Sequence, residues 1–363
     1  MAIERFPCPN CKADMEFDPA TGGMKCSYCG TRSDVQSDSQ RIVHENPLSA
    51  EALKPDPSRI QRLSEVSKEF TCTGCGATIQ FEPPQVAGSC PFCAASIVAQ
   101  PKDSDPLIAP DAVLPFAVPK EQATANVRNW LASLWFAPGA LAAMARPEGI
   151  RGMYLPFWTF DAKTSTRYTG QRGQYYYETI QVQENINGQN VLRDVQQRHT
   201  AWQNAQGSVG VAFDDVLVPA VRSVSADRLK KLEPWNLQKL KPYDTAFLSG
   251  FQAQRYQVEL GDGFGAGKSI MERAIQDEIR RDIGGDEQQI SESETRYGSL
   301  TFKHVLMPVW MGAYRFEGRV FQMMVNAQTG EVNGERPYSK GKVFLLILVI
   351  LLLLLFLISL DHR

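Results

Sequence analysis

The cysteines are the residues of this chain whose type and spacing point most directly to chemistry. All eight occur in C-x-x-C pairs, and the pairs form two sets of four. The sets are Cys8, Cys11, Cys26 and Cys29, and Cys72, Cys75, Cys90 and Cys93. Each C-x-x-C turn directs two thiolates at one ion, and two turns complete the tetrahedral sulfur shell that zinc prefers. The spacing therefore predicts two structural zinc ions, each in a site with no open coordination position.

The two sets are copies of one module. Sliding the first set onto the second also aligns five further positions: Phe6 with Phe70, Ala13 with Ala77, Phe17 with Phe81, Asp18 with Glu82, and Pro19 with Pro83. A module of about thirty residues buries little core, so we expect the metal to supply most of its folding free energy. Iron in a rubredoxin-like site and disulfides in an oxidising compartment are the alternatives. We favour zinc because no secretory signal precedes Cys8.

The last part of the chain carries a long apolar run. Residues 343–360 contain one polar side chain, Ser359, and as a helix they would cover about 27 Å. The sequence therefore predicts a transmembrane helix, with a buried core helix as the alternative. The basic residues Arg336, Lys340 and Lys342 precede this run and predict that the N-terminal bulk faces the cytoplasm. We thus expect a tail-anchored, single-pass protein of the inner (plasma) membrane.

The remaining sequence predicts the domain organisation. The expected fold is multidomain, with two small β-rich zinc ribbons, a mixed α+β domain and one C-terminal transmembrane helix. The predicted segments are ribbon 1 at 1–33, a flexible tether rich in Ser, Asp, Gln and Pro at 34–67, ribbon 2 at 68–100, the α+β domain at 111–338 and the transmembrane helix at 343–360.

Within the α+β domain, capping residues and apolar periodicity predict both helices and strands. The predicted helices are 120–134, 226–232 and 266–283. The predicted strands are 153–161, 191–202, 208–213, 254–260, 288–297, 302–316 and 320–326, with turns at Asn187-Gly188 and Glu317-Gly318. The motifs Pro156-Phe157-Trp158 and Pro308-Val309-Trp310 suggest a tandem pair of αβ units; two unrelated bulged strands are the alternative.

No group of residues in the sequence predicts catalysis. The stretch 261–269 resembles a phosphate-binding loop, but Asp262 stands where that loop needs glycine, so we interpret it as a Gly-rich turn leading into a helix. Asp214 and Asp215 precede this stretch, whereas a Walker B acid would follow it. His199 with Asp214 or Asp215 could form a base and its orienting acid, and Asp286 is expected to stabilise a turn. His44, His304 and His362 suggest no site.

Charge decides between the partners that zinc ribbons commonly bind. The whole chain has a formal charge of −2, and the second ribbon carries Lys68 against Glu69 and Glu82. Phosphate contacts supply most non-specific affinity for nucleic acid, so a ribbon with so few cations makes nucleic acid an unfavourable partner. The aromatic residues of the ribbons favour a protein partner instead. No small-molecule substrate is indicated.

The chain resembles a group of bacterial membrane-anchored tandem zinc-ribbon proteins. The resemblance covers most of the chain and rests on the tandem ribbons and on motifs at 114–118, 135–141, 152–162, 213–220, 232–237, 243–256, 282–288, 301–310 and 325–339. Members are commonly labelled primosomal protein N' (replication factor Y)-like or TFIIB-type zinc ribbon proteins. The resemblance implies a recruiting or scaffolding role beside flotillin-type or phage-shock-type membrane-stress proteins.

We therefore expect a non-enzymatic adapter whose ribbons recruit a cytoplasmic protein partner to the membrane, with the bilayer contacted through residues 343–360. The alternative is a nucleic-acid-binding zinc-ribbon protein at the membrane, associated with a primosome or helicase.

Overall fold

The computed structural model describes residues 6–35, 42–49, 52, 60–61, 68–71, 78–81, 87–89, 96–98, 107–138, 141, 149–186, 189–317 and 319–361. The N-terminal strands are short. They are β1 (Met15–Asp18), β2 (Gly23–Cys26), β3 (Arg32–Ser33), β4 (Asn46–Pro47), β5 (Ile60–Gln61), β6 (Lys68–Thr71), β7 (Thr78–Phe81), β8 (Ala87–Ser89), β9 (Ser96–Val98) and β10 (Leu107–Ile108). Strands β1, β2 and β3 form one antiparallel sheet, and β6–β7, β8–β9 and β5–β10 form antiparallel pairs.

The rest of the chain builds one large sheet and its helices. Its elements are β11 (Ala112–Val113), α1 (Lys120–Ser133), β12 (Arg151–Ile186), β13 (Gln189–Pro219), α2 (Ala226–Lys230), β14 (Lys241–Pro242), β15 (Gln252–Ala253), α3 (Leu260–Ile283), β16 (Glu287–Phe316), β17 (Arg319–Asn326), β18 (Val332–Gly334) and α4 (Lys340–Asp361). Two 3₁₀ turns lie at Leu237–Lys239 and Thr245–Leu248. The sheet has nine strands in the order β13-β12-β16-β11-β14, with β15, β17, β18 and β4 paired beside this path.

Strands β12, β13 and β16 form an extended antiparallel platform because their side chains alternate over the whole length. One face is covered by α3, whose buried residues follow helical spacing: Leu260, Gly263, Gly267, Met271, Ile275, Ile279 and Ile283. Opposite α3, the other face of these strands carries exposed polar residues. Strand β16 pairs with β12 only as far as Gly173, so β12 and β13 continue beyond it as a two-stranded hairpin that ends at Ile186 and Gln189.

The two motifs that contain tryptophan occupy equivalent places in the sheet. Trp158 on β12 donates from Nε1 to the carbonyl of Val258, just before α3, at 2.9 Å. Trp310 on β16 donates from Nε1 to the carbonyl of Val118, just before α1, at 2.8 Å. The pairing of short strands repeats as well, since β15 runs parallel to β12 and β11 runs parallel to β16. If α1 with the β12–β13 hairpin is one unit and α3 with the β16–β17 hairpin is the other, each helix begins beside the tryptophan of the other unit.

The fold class predicted for residues 111–338 needs correction. This region is dominated by the sheet and is not an even α+β mixture. The segments predicted as separate strands at 191–202 and 208–213 belong to one strand, β13. Small residues such as Ala205 and Gly207 between them continue the alternation of side chains between the face toward α3 and the opposite face. The strand predicted at 254–260 is also wrong. Helix α3 begins at Leu260 and ends before Gly284, as the Gly284-Gly285 stop signal predicts.

The transmembrane prediction is overturned as well. Among the residues that the structure describes, no helix is long and apolar enough to cross a membrane. Helix α4 forms over the predicted segment, and its described apolar side chains are exposed. The predictions of a single-pass, tail-anchored protein in the inner membrane are therefore wrong as well.

Part of the predicted tether is packed against the sheet. Strand β4 pairs with Thr301 and Phe302 of β16, and the backbone N–H of Leu48 donates to the carbonyl of Leu300 at 2.9 Å. Leu48 also contacts the apolar cluster under α3. Residues 42–49 are therefore held in place, because a few apolar and hydrogen-bonding side chains suffice to add an edge strand. The rest of the predicted tether lies largely outside the described residues.

Candidate metal centre and the polar clusters of the sheet

The first four cysteines converge on one point. The Sγ atoms of Cys8, Cys11, Cys26 and Cys29 all lie within 4.8 Å of one another. The Sγ atoms of Cys8 and Cys29 are 3.5 Å apart, as are those of Cys11 and Cys26. Cys8 and Cys26 are fully buried, whereas Cys29 is exposed. These four residues could bind a metal ion near the surface of ribbon 1.

Both C-x-x-C turns have the same backbone geometry. In the first turn, the N–H of Lys12 donates to the carbonyl of Cys8 at 3.0 Å, and Lys12 has a positive φ of 64°. In the second turn, the N–H of Gly30 donates to the carbonyl of Cys26 at 3.0 Å, and Gly30 has a φ of 74°. The left-handed residue after each pair curls the chain around the site, and glycine adopts this conformation without strain.

The sulfur distances fit a bound metal better than a disulfide. Tetrahedral zinc with Zn–S bonds of about 2.3 Å separates its sulfurs by about 3.8 Å, whereas a disulfide needs about 2.05 Å. The Thr31 hydroxyl and backbone lower the pKa of the Cys29 thiol to about 6. The N–H of Ala13 would lower the pKa of Cys11, but the Cys29 sulfur and burial raise it to about 12.

The second set of four cysteines belongs to the repeated module. Cys72, Cys75, Cys90 and Cys93 lie outside the described residues. The strands around them are described, and β7, β8 and β9 fall at the positions onto which the duplication maps β1, β2 and β3. The second module thus has strands where the first one has them.

Ribbon 1 is docked on the central sheet domain. The ring of Phe17 contacts that of Phe247 edge to face, with centroids 5.4 Å apart. The N–H of Phe17 donates to the carbonyl of Ser249 at 3.0 Å, and the hydroxyl of Ser249 donates to the carbonyl of Met15 at 2.7 Å. Cys8, Met15 and Phe17 belong to the same buried cluster as Phe116 and Trp310. The ribbon and the sheet therefore share one core.

The Gly-rich stretch at 261–269 lies inside helix α3 and not in a loop. A Cβ atom added to Gly263 would lie 2.6 Å from Cδ1 of Trp158, and one added to Gly267 would lie 2.9 Å from Cδ2 of Phe160. Asp262 is exposed and lies 3.9 Å from Arg222. These glycines let the helix approach two large aromatic side chains, so the stretch serves packing within the fold.

This packing gives a prediction with an internal control. Replacing Gly263 with alanine should lower the free energy of unfolding by about 1–3 kcal/mol, because the new methyl group collides with Trp158. Gly265→Ala should instead raise it by about 1 kcal/mol, since nothing lies within 4 Å of that position and alanine favours the helix. Urea denaturation followed by circular dichroism measures both. Equal effects of the two changes would contradict the packing role.

A second polar cluster lies across the sheet where the strands are irregular. The register of β12 with both neighbours shifts next to Asp161, because β13 and β16 each carry one extra residue there, and Asp215 on β13 has a positive φ of 54°. Lys303 on β16 reaches across β12, so that its Nζ lies 2.6 Å from Oδ1 of Asp215 and 3.3 Å from Oε1 of Glu45. The hydroxyl of Thr301 donates to Oδ2 of Asp161 at 2.8 Å. One buried ammonium group thus holds three strands and the β4 segment together.

The charges of this cluster do not balance. Burial alone would lower the pKa of Lys303, but the hydrogen bond that its ammonium group donates to Asp215 and the charges of Asp215, Asp161 and Glu45 raise it. The charge of Asp215, together with burial, raises the pKa of Asp214. Carboxylate oxygens of Glu45, Asp161 and Asp214 lie within 4.8 Å of one another. Sequence reasoning considered Asp214 and Asp215 but missed Lys303, whose role appears only when β16 is placed beside β12.

His199 does not pair with Asp214 or Asp215 as a base and its orienting acid. His199 stacks on Tyr176 in the distal hairpin, with ring centroids 5.5 Å apart, about 50 Å along β13 from Asp214. His304 is buried between Trp158 and Tyr256, and burial lowers its pKa to about 4, so it is neutral at physiological pH. His44 is exposed and His362 lies outside the described residues. Asp286, which the sequence places in a turn, accepts the N–H of Tyr175 on β12 at 2.7 Å and so links the end of α3 to that strand.

The fold and the four-thiol centre define a sheet-dominated protein with a docked, cysteine-rich ribbon. Its sequence is similar to that of an uncharacterised protein of Bacillus subtilis (strain 168), YdjG. The two are 28% identical over 346 residues, which cover 94% of this chain and 92% of the relative. No family model matches the chain, and no solved structure matches it.

Proposed function

We propose that the protein is a non-enzymatic adapter that uses two structural zinc ribbons to hold a protein partner. The observation that carries this proposal is the closed four-thiol centre of ribbon 1, docked on the sheet. Four sulfur ligands fill the coordination shell of zinc and leave no position for water or substrate. The metal would therefore supply folding free energy and a fixed surface rather than chemistry.

The choice of zinc rests on the donor set. Four thiolates in a tetrahedral arrangement suit zinc or an iron site, and four thiolates with no open position are typical of structural zinc sites. The duplicated spacing supports a second zinc ion held by Cys72, Cys75, Cys90 and Cys93. We therefore expect two zinc ions per chain.

The docking of ribbon 1 suggests that the two ribbons have different roles. The aromatic side chain of Phe17 is buried against the central domain, so ribbon 1 exposes less apolar surface to a partner than its sequence suggests. Ribbon 2 is joined through sequence rich in polar residues and proline, and its segment carries too few cations for strong phosphate binding. We assign partner capture to ribbon 2 and its positioning to ribbon 1 and the sheet.

The test uses the full chain with an affinity tag, compared with Cys90→Ser/Cys93→Ser and with Tyr28→Ser, an exposed residue between two ligands of ribbon 1 that binds no metal. Elemental analysis should give two zinc ions per chain for the wild type and Tyr28→Ser, and one for the double variant. Proteins that copurify with the wild type should be lost from the double variant alone.

Two outcomes would contradict the proposal. Copurifying proteins that are retained by the double variant would exclude ribbon 2 as the docking surface. Nucleic acid that copurifies and dissociates steeply with rising salt would instead support the phosphate-binding alternative.

A further inference from the structure

Among the described residues, the outer edge of β13 is the longest unpaired strand edge of the sheet. Strand β13 ends the strand order of the nine-stranded sheet and pairs with β12 on one side. On its other side, no strand among the described residues pairs with it. Every second residue of an edge strand presents its backbone N–H and C=O outward, where they can template another strand.

This edge lacks the devices that usually block pairing. Between residues 200 and 213 β13 contains no charged residue and no proline, and its register with β12 runs there without a bulge. The stretch would extend over about 45 Å. Natural edge strands of this length normally carry lysine, proline or a bulge to prevent association. An uninterrupted, uncharged edge is therefore open to pairing with another strand.

The charges at the two ends of the stretch indicate what covers it. Arg198 and His199 lie at the N-terminal end, and Asp214 and Asp215 lie at the C-terminal end. If two copies of the edge pair in antiparallel fashion about Gly207, Asp214 of one copy comes opposite Thr200 of the other and diagonal to Arg198. Diagonal neighbours across an antiparallel pair lie within reach of long side chains. A parallel arrangement would place like charges together at both ends.

The apolar residues of the stretch agree with the same pairing. The side chains of Ala205, Val209 and Val211 face α3 and contact its apolar cluster. Pairing about Gly207 sets Ala205 of one copy opposite Val209 of the other on that face, so both copies keep their apolar residues on one side of a continuous sheet. The opposite face carries uncharged polar residues such as Gln206 and Ser208, which cause no repulsion between identical edges.

We propose that the protein forms a symmetric dimer in which the 200–213 edges of two chains pair antiparallel and join their sheets into one. The dimer places two sets of ribbons on one rigid platform. It does not depend on the metal or on the identity of the adapter's partner, so its failure and that of the proposed function are distinguishable.

The test measures the mass of the full, metal-loaded chain in solution by light scattering, together with hydrogen exchange of the amides in 200–213. The wild type should have twice the mass of one chain, and these amides should be protected. Gln206→Lys/Ser208→Lys sets like charges opposite each other across the dimer axis and should raise the dissociation constant at least about tenfold, with loss of protection.

The control is Ser165→Lys/Thr169→Lys, which adds the same charge to exposed positions of β12 on the same face, one strand away from the edge. It should remain dimeric. A wild type with the mass of one chain would overturn the proposal. So would association that survives the edge substitutions with unchanged exchange, since that result would assign self-association to another surface, such as the exposed apolar side chains of α4.

Discussion

Replacing Cys26 with serine should remove one metal ion per chain and unfold ribbon 1. Cys26 is a fully buried member of the four-thiol cluster, and structural zinc contributes about 10–16 kcal/mol to small cysteine-rich modules at neutral pH. Three remaining thiols and a serine hydroxyl cannot replace that contribution. We expect the variant to bind one zinc ion where the wild type binds two, as measured by elemental analysis.

The loss should extend beyond the ribbon because the ribbon shares a core with the sheet. Met15 and Phe17 are buried against the segment that contains Phe247 and Ser249, and their removal exposes apolar surface on the central domain. Burying two such side chains is worth about 3–6 kcal/mol. The thermal midpoint of the central domain should therefore fall, and limited proteolysis should cut within residues 6–35.

A chelator provides the matching experiment on the unaltered chain. Removal of metal from the wild type should lower the thermal midpoint as Cys26→Ser does. In Cys26→Ser, a chelator should lower the midpoint further only by removing the metal of the second ribbon. Tyr28→Ser, at an exposed position between two ligands, should leave metal content and midpoint unchanged. If Cys26→Ser kept both its metal and its midpoint, ribbon 1 would not be a metal-dependent part of the fold.

Replacing Lys303 with methionine should lower the free energy of unfolding by about 3–5 kcal/mol. The side chain of Lys303 is 7% exposed and lies within 4.0 Å of carboxylate oxygens of Glu45, Asp161 and Asp215. Methionine keeps most of the volume and removes the charge, so the buried carboxylates lose their counter-ion. Guanidinium denaturation at pH 7 measures the loss.

The pH dependence separates a charge effect from a packing effect. The charge of Asp215 and burial raise the pKa of Asp214, and the charge of Lys303 opposes that shift, so removing the ammonium group should raise this pKa further. The folded variant then binds protons more readily, so the deficit relative to the wild type should shrink as the pH falls from 7 to 5. A deficit that stays constant over this range would indicate lost packing instead.

Two further variants complete the comparison. Lys303→Met/Asp215→Asn removes both members of the shortest ion pair and should recover part of the stability, because fewer unpaired charges stay buried. Lys163→Ala removes an exposed lysine from the same strand region and should change stability by less than about 0.5 kcal/mol. No recovery in the double variant would mean that Asp215 is not the main partner of Lys303.

Features that depend on local spacing follow from the amino-acid sequence alone. The four thiols of Cys8, Cys11, Cys26 and Cys29 meet because each C-x-x-C turn and its left-handed residue fix the geometry within a few residues. The end of α3 at Gly284 and the positions of the hairpins that follow β12 and β16 are local for the same reason. Turn and capping residues act on their immediate neighbours, so their consequences can be deduced without the fold.

Tertiary structure decided everything that depends on which strands are neighbours. The Gly-rich stretch looked like a loop until Trp158 and Phe160 supplied the surface that two of its glycines must approach. Lys303 gained its role only because β16 lies beside β12, with Asp215 one strand further away. The uncharged stretch of β13 became an edge because no other described strand covers it. Packing of distant segments sets these relationships, and residue spacing along the chain carries no record of them.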